Sequence, residues 1–332
     1  MKRIITLFLT LALTLSLAAC AAPGEKADDG RLQIVATLFP YYDFARAIAG
    51  GRADVTLLLS PGREAHSFEP TPLDAVTISE ADVFLYNGGE GEYWVEEMLD
   101  AAGEHIAVKA RMMDYVDALG EEFSEGMQGA DEHGHDHDHD DHDHDHEEDE
   151  HDSDEIEYDE HIWTSPKNAA ILCRAVCEAI CKADPANEDF YRANCDDYCA
   201  QIEALDARFA DLCESAPRKL LIFADRFPML YFCREYGLDY RAAFHGCSGD
   251  TEPSLATIKF LIDKVENENI PVVYTIDFGT KKVAAVVSEC TGAAVETIYS
   301  MQTVSRADFD AGETYLTLME RNFEALRKGL NE

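Results

Sequence analysis

One segment of this chain cannot contribute to a folded core. Residues 131–151 read DEHGHDHDHDDHDHDHEEDEH and contain no apolar residue. Eight of the twelve histidines lie there, nearly all alternating with acids. A segment of this composition cannot offset the entropy lost on ordering, so we expect it to be disordered. The chain must therefore build its core from elements that lie before and after this segment.

We call the predicted disordered region, about residues 120–158, the strap, and residues 131–151 its central tract. Neutral imidazole is a common zinc ligand, and carboxylates add oxygen ligands and negative charge. The alternation therefore favours an auxiliary metal-collecting segment over an acidic linker whose histidines are incidental. Its candidate ligands are His133, His135, His137, His139, His142, His144, His146 and His151.

The amino terminus is typical of a bacterial lipoprotein signal. Lys2 and Arg3 precede an apolar stretch over residues 4–17, and Leu17-Ala18-Ala19 leads into Cys20. This pattern predicts a signal peptide over residues 1–19, lipid on Cys20 and a flexible linker over residues 20–30. The alternative is an ordinary secretory signal followed by a chance cysteine. The mature protein is thus predicted to be extracytoplasmic, at the cell surface or in the periplasm, and anchored to the membrane by lipid.

The charge of the chain bounds its partners. The formal net charge is −39, and residues 131–160 contain eighteen acids and no Lys or Arg. The chain is acidic outside the strap as well as within it. This charge argues against nucleic acid as a partner and favours a cationic cargo.

Strand-like and helix-like segments alternate on both sides of the strap. Such alternation predicts parallel β-α units. We expect an α/β fold with two layered α/β lobes, at residues 31–185 and 215–332, joined by one long linking helix over residues 186–214. Predicted strands cover residues 32–38, 55–59, 82–86 and 105–108 in the first lobe and 219–224, 240–244, 272–276 and 294–298 in the second.

Three histidines outside the strap lie where ligands bind in open α/β sheets, beyond the carboxyl ends of strands or at a helix start. They are His66, His161 and His245, whereas His105 lies at the opposite edge and is interpreted as structural. Any one of them alone is better explained as a structural histidine. Together they indicate a metal site at the lobe interface.

The cysteines do not have the spacing of a structural zinc motif. Cys173, Cys177 and Cys181 recur every four residues, as do Cys195 and Cys199. On helices this spacing forms a stripe, and free cysteines pack as small hydrophobic residues. An extracytoplasmic location permits disulfides, but their pairing does not follow from the sequence.

Several motifs resemble the solute-binding lipoproteins of zinc/manganese ABC importers (cluster A-I), over nearly all of residues 31–330. They are Pro61-Gly62-x-x-x-His66-x-x-Glu69-Pro70, Asp159-x-His161-Ile162-Trp163-x-Ser165-Pro166, Asp184-Pro185-Ala186-Asn187 with Tyr191, and Tyr236-Gly237-Leu238. The resemblance implies two α/β lobes, a rigid linking helix and a metal between the lobes. It implies that His66 and His161 are ligands from the first lobe, and that Glu69 orients His66.

The second lobe departs from the family pattern. The resemblance implies a histidine at the end of the lobe's first strand, but the sequence there is Phe223-Ala224-Asp225-Arg226. Asp225 and His245 are alternative third ligands, and the resemblance makes Asp277 the fourth. Two histidines with two carboxylates would favour Mn(II), whereas a third histidine would favour Zn(II). The strap favours Zn(II).

The combined interpretation is a monomeric extracytoplasmic protein, not an enzyme, that captures Zn(II), or alternatively Mn(II), for the permease and ATPase of an ABC importer. One alternative is a lipid-anchored metal-buffering protein or adhesin. Another is a zinc hydrolase, which is disfavoured because no H-E-x-x-H or H-x-E…C-x-x-C pattern is present.

Overall fold

The computed structural model describes residues 30–65, 68–128, 157–248 and 252–331. The signal peptide, Cys20, His66 and the central tract of the strap lie outside the described residues. Among those described, no helix combines the length and apolar character that crossing a membrane requires.

The first lobe is built on a four-stranded parallel sheet in the order β2–β1–β3–β4. Its strands are β1 (Leu32–Ala36), β2 (Ala53–Leu57), β3 (Val83–Tyr86) and β4 (Val108–Arg111). β4 begins three residues later than the predicted start at His105, because a 3-10 turn occupies Gly103–His105. Helices α1 (Phe39–Ala49), α2 (Pro72–Ser79) and α3 (Trp94–Ala102) connect these strands.

The second lobe repeats this architecture, with a parallel sheet in the order β6–β5–β7–β8. Its strands are β5 (Leu220–Phe227), β6 (Asp239–His245), β7 (Val272–Ile276) and β8 (Ala294–Ile298). The last two strands have the predicted bounds. Two layered α/β lobes are therefore confirmed. In each sheet the strand order reverses between two neighbouring strands, β1 and β3 or β5 and β7, and ligands of open α/β sheets bind outside such a switch point.

Two antiparallel helices lie between the sheets in sequence, α4 (Pro166–Ala183) and α5 (Glu188–Ser215). Ser165 caps α4 by accepting from Asn168 N at 3.2 Å. α5 has 28 residues and so extends about 42 Å. It packs on α1 and α4 of the first lobe, and on two helices of the second lobe, α6 (Leu230–Tyr236) and α10 (Tyr315–Asn331). The remaining α-helices of the described residues are α7 (Leu255–Asn267), α8 (Lys282–Thr291) and α9 (Arg306–Ala311).

The two lobes share one continuous apolar core and several buried hydrogen bonds. Trp163 Nε1 donates to Ser300 O at 2.8 Å, and Tyr315 OH donates to Trp163 O at 2.9 Å. Asp43, 1% exposed, accepts from Tyr198 OH at 2.5 Å and from Tyr315 N at 2.8 Å. These bonds join α1, α5 and α10 and fix the segment that carries His161 against the second lobe.

Both ends of the predicted strap belong to the fold. Gly120 and Tyr158 form an antiparallel bridge, and Glu121 N donates to Glu157 O at 2.8 Å. Gln128 N donates to Ala243 O at 3.0 Å, while Met127 is buried. The prediction of disorder from about residue 120 is thus replaced by order through residue 128, because Phe123 and Met127 supply apolar surface that the central tract lacks.

Candidate metal centre

His161 lies between the strap and the turn that precedes α4, and its side chain is 2% exposed. Its Nδ1 lies 3.2 Å from Asp159 Oδ1, and its backbone N–H donates to the same oxygen at 2.8 Å. An ionised carboxylate only accepts hydrogen bonds, so Nδ1 carries the proton and Nε2 carries the lone pair that a metal ion needs. This carboxylate–histidine pair is the arrangement that orients metal-binding histidines.

Acidic neighbours set the proton affinity of His161. Burial by itself favours the neutral ring, but the negative charges of Asp159, Glu121 and Glu160 outweigh burial and raise the pKa of His161 above its ordinary value of 6.5. The same charges attract a divalent cation, so protons and metal ions compete for this nitrogen.

His161 lines a cavity between the lobes. The first lobe also contributes Glu64 and Ala65, and the second lobe contributes residues that follow β5, β6, β7 and β8. A Cβ added to Gly246 would lie 3.0 Å from His161 Cε1 and 2.9 Å from Phe227 O. Position 246 therefore needs glycine, because any side chain there would push the imidazole aside.

The carboxylate of Asp225 is engaged in hydrogen bonds beside this cavity. Its Oδ2 accepts from Thr275 Oγ1 at 2.6 Å and from Ile276 N at 3.3 Å, and its Oδ1 accepts from Arg226 N at 2.9 Å. A Cβ at Gly279 would lie 1.8 Å from Asp225 Oδ2. The carboxylate thus connects β5 to β7 and is not among the residues that line the cavity beside His161.

Arg226 lines the cavity instead. Its side chain is 11% exposed, and its Nη1 lies 2.8 Å from Glu64 Oε1 in the first lobe. The guanidinium thus forms an ion pair across the lobe interface. Sequence reasoning did not identify Arg226 as part of the site. The available signal was its position one residue after Asp225, because successive side chains of a strand point to opposite faces.

His245 lies beside the cavity rather than on its wall. Its Nδ1 is 3.5 Å from Glu121 Oε2, close enough for an ion pair but not aligned as a hydrogen bond. The ring lies 5.1 Å from that of Phe123. Glu121 raises the pKa of His245. His245 therefore belongs to the contact between the ordered end of the strap and β6, while the next residue, Gly246, faces His161.

Asp277 follows β7 and is adjacent to the cavity wall. Its Oδ1 accepts from Ser300 N at 3.2 Å, and Ile276, Phe278 and Ser300 all line the cavity. Burial raises the pKa of Asp277 from 3.8 to about 6. Burial destabilises the charged form of a carboxylate, and a nearby cation stabilises that form. Asp277 itself is not among the lining residues, and its role as an oxygen ligand remains a prediction.

His66 and Ser67 lie outside the described residues, but their neighbours are placed. Ala65 lines the cavity beside His161 and Phe68 is buried against Trp94, with ring centroids 5.2 Å apart. Glu69 is exposed, and its predicted contact with His66 therefore remains a prediction.

Two buried acids that sequence reasoning missed line a second cavity with Ala65. Burial raises the pKa of Glu92 to about 7, although Gly88 N donates to its Oε2 at 2.8 Å. Burial also raises the pKa of Glu160, which accepts from Gly91 N at 2.7 Å. The signal was the acidic, glycine-rich turn after β3, whose close approach to Glu160 leaves no space for a Cβ at Gly89.

One known family matches almost the whole chain. The family model described as ZnuA, zinc-uptake complex component A, periplasmic, matches residues 34–329. The chain belongs to this family. The predicted relationship to metal-importer solute-binding proteins is therefore confirmed.

Curated members of this zinc-uptake family match over almost the whole chain. The high-affinity zinc uptake system protein ZnuA of Bacillus subtilis (strain 168) is 32% identical over 328 residues, 98% of this chain and 97% of that protein. The zinc-binding lipoprotein AdcA of Streptococcus pneumoniae (serotype 4) is 29% identical over 329 residues, 99% of this chain but 61% of that protein. The chain thus spans about three-fifths of the length of AdcA.

Solved structures of the family share the fold. The Zn(II)-bound ZnuA-like domain of Streptococcus pneumoniae AdcA has a TM-score of 0.71 and 25% identity, covering 91% of this chain and 100% of that domain. The metal-dependent lipoprotein YcdH of Bacillus subtilis has a TM-score of 0.72 and 28% identity, covering 90% of this chain and 99% of that one.

Proposed function

We propose that the protein captures Zn(II) outside the cytoplasmic membrane and delivers it to the permease of an ABC importer that is driven by its ATPase. The observation that carries this proposal is the buried His161–Asp159 pair on the wall of an interlobe cavity. Family membership supports transport rather than catalysis as the role of that pair.

The proposed ligands combine residues from both lobes. His66 and His161 come from the first lobe and Asp277 from the second, with Asp225 or His245 as the remaining candidate. Asp225 is held by Thr275 and Ile276, and His245 lies against Glu121, so each would have to turn to reach an ion beside His161. Zn(II) is preferred because it accepts a set of few ligands rich in imidazole, and Mn(II) is the alternative if carboxylates predominate.

Arg226 adds a requirement to zinc capture. Its permanent positive charge lines the same cavity as His161 and opposes a bare divalent cation. Glu64 neutralises part of this charge in the present arrangement. We infer that binding moves the guanidinium away from His161 while its ion pair with Glu64 persists. Release would follow the reverse movement.

The remaining elements of the proposal concern capture and location. Lipid on Cys20 would hold the protein at the membrane as a monomer, close to its permease. The strap would bind several ions weakly and raise the zinc concentration near the cavity. Glu69 would orient His66. These roles rest on the sequence pattern alone.

Zinc titration in competition with a chelator tests the site. We expect His161→Ala combined with His66→Ala to abolish the high-affinity step while weak binding by the strap remains. His105→Ala is the matched control because His105 is exposed, and it should leave the titration unchanged. A double variant that retains the high-affinity step would remove both residues from the site.

Single substitutions distinguish the candidates of the second lobe. Asp277→Asn, Asp225→Asn and His245→Ala should differ in the affinity they lose, with Asp277→Asn having the clearest effect. The thermal stability of each metal-free variant should be measured in parallel, because Asp225 also joins β5 to β7. If Asp277→Asn kept full affinity, the second lobe would have to ligate through another residue.

A further inference from the structure

A second group of potential metal ligands lies outside the residues that line the interlobe cavity, where α4 and α5 face each other. Cys173 and Cys177 are on α4, and Cys195 and Cys199 are on α5. Residues four apart lie on one face of a helix, so each helix presents a pair of thiols to the other. All four are buried, with exposures between 0% and 3%.

The sulfur atoms converge. The Sγ atoms of Cys173, Cys195 and Cys199 all lie within 4.8 Å of one another, and those of Cys195 and Cys199 are 3.9 Å apart. Zinc bound tetrahedrally by sulfur at about 2.3 Å holds its sulfur atoms about 3.8 Å apart. The thiols are therefore already near the spacing that a shared ion imposes.

Arg174 lies beside this cluster and interacts electrostatically with Cys195 and Cys199. Thiolates are the form in which cysteine binds metals. Arg174 also offsets part of the negative charge that several thiolates would place in the helix interface.

Packing alone does not require this convergence. Cys213 and Cys233 are equally buried outside this cluster, and free cysteines commonly pack as small hydrophobic residues. The cluster instead brings Cys173 of α4 to the same point as Cys195 and Cys199 of α5, while Cys177 Sγ lies 3.9 Å from Cys181 Sγ. The cysteines of the described residues are free thiols.

We propose that Cys173, Cys195 and Cys199, with Cys177 as an additional ligand, form a buried site for a thiophilic d10 ion, Zn(II) or Cu(I). Soft thiolate ligands select these ions. Zn(II) would take all four sulfurs, whereas Cu(I) would take three. Each thiol that binds releases one proton to solvent, so loading is a balanced exchange of protons for the ion without oxidation.

The site would connect α4 of the first lobe to α5, which extends into the second lobe. The bound ion would fasten one end of the long helix to the first lobe, independently of the cargo in the interlobe cavity. Because the thiols are buried, the ion would be loaded during folding rather than exchanged with the cargo.

X-ray absorption at the metal edge, together with metal content per chain, tests the proposal on the full mature protein. The protein is refolded anaerobically with Zn(II) or with acetonitrile-stabilised Cu(I). We expect one ion per chain with a sulfur shell at about 2.3 Å for zinc. The shell should persist in His161→Ala, which affects only the cargo site, and should disappear in Cys173→Ala/Cys195→Ala/Cys199→Ala.

The control is Cys233→Ala, which removes an equally buried thiol outside the cluster and should keep the sulfur-bound ion. Cys177→Ala distinguishes the ions, since it should weaken the zinc shell and leave a Cu(I) shell unchanged. If the triple variant does not fold, Cys195→Ala alone should lose the shell. No sulfur around the metal in the wild-type protein, or a disulfide within the cluster by mass spectrometry, would overturn the proposal.

Discussion

Asp159 offers the sharpest test of how the fold prepares His161. Asp159→Asn keeps the size of the side chain and an oxygen that can accept from Nδ1, but it removes the negative charge. Asp159 is the largest of the charges that raise the pKa of His161. The substitution should therefore lower the basicity of the ring while its orientation is largely retained.

We expect a loss of about 10- to 100-fold in zinc affinity at about pH 8, the range found for partners of metal-binding histidines. This loss corresponds to about 1.4–2.8 kcal/mol. Below the raised pKa of His161, protons displace zinc from the wild-type protein. The variant's imidazole has a lower pKa and loses zinc at a lower pH. The difference between the two proteins should thus narrow as the pH falls from about 8 to about 5.

Competition with a chelator of known affinity across this range measures both effects. Glu157→Gln is the control, because it removes an exposed carboxylate two residues before Asp159 that is not among the main charges raising the pKa of His161. Equal affinities at pH 8, or a difference that stays constant at every pH, would refute the argument that Asp159 acts through the charge on this ring.

Three further results are expected. Arg226→His should tighten zinc binding by at least about tenfold, because it removes a fixed positive charge and adds an imidazole. Arg241→His on β6 is the control and should leave zinc affinity unchanged. Unchanged zinc affinity in both variants would exclude Arg226 from the site. Burial raises the pKa of Glu92 from 4.5 to about 7. The free energy of unfolding is therefore highest below about pH 4.5, where Glu92 is protonated in both states, and falls as the pH rises to about 7. Glu92→Gln should remove this pH-dependent loss of about 3 kcal/mol, measured by denaturant unfolding of the metal-free protein at each pH. Parallel pH profiles of unfolding free energy for the wild type and the variant would contradict this expectation. Deletion of residues 131–151 should spare the fold and the high-affinity site but slow uptake from scarce zinc, and loss of the high-affinity step would mean that the strap supplies primary ligands.

Local pattern was sufficient for much of the architecture. The apolar runs at β7 and β8 predicted their bounds, and the alternation of strands and helices predicted two parallel sheets. The long α5 followed from buried residues repeating every three or four positions. These features depend on hydrophobic periodicity, which can be read within one short segment of sequence.

The wrong start of the strap and the position of His245 have a common cause. The strap was expected to start near residue 120, but Phe123 and Met127 attach residues 120–128 to the second lobe. Glu121 then meets His245, which keeps that candidate ligand beside the cavity rather than on its wall. Contacts between residues more than a hundred positions apart leave no local pattern in the sequence.

The sequence alone was enough to establish the family, the parallel α/β architecture and the loop that carries Asp159 and His161, because motif spacing and hydrophobic period are local properties. The three-dimensional arrangement was needed to see that Arg226 rather than Asp225 lines the cavity, and that Cys195 meets Cys173 and Cys199. Moving one residue along a strand reverses the direction of the side chain, and the facing of two helices depends on how both pack against the rest of the core.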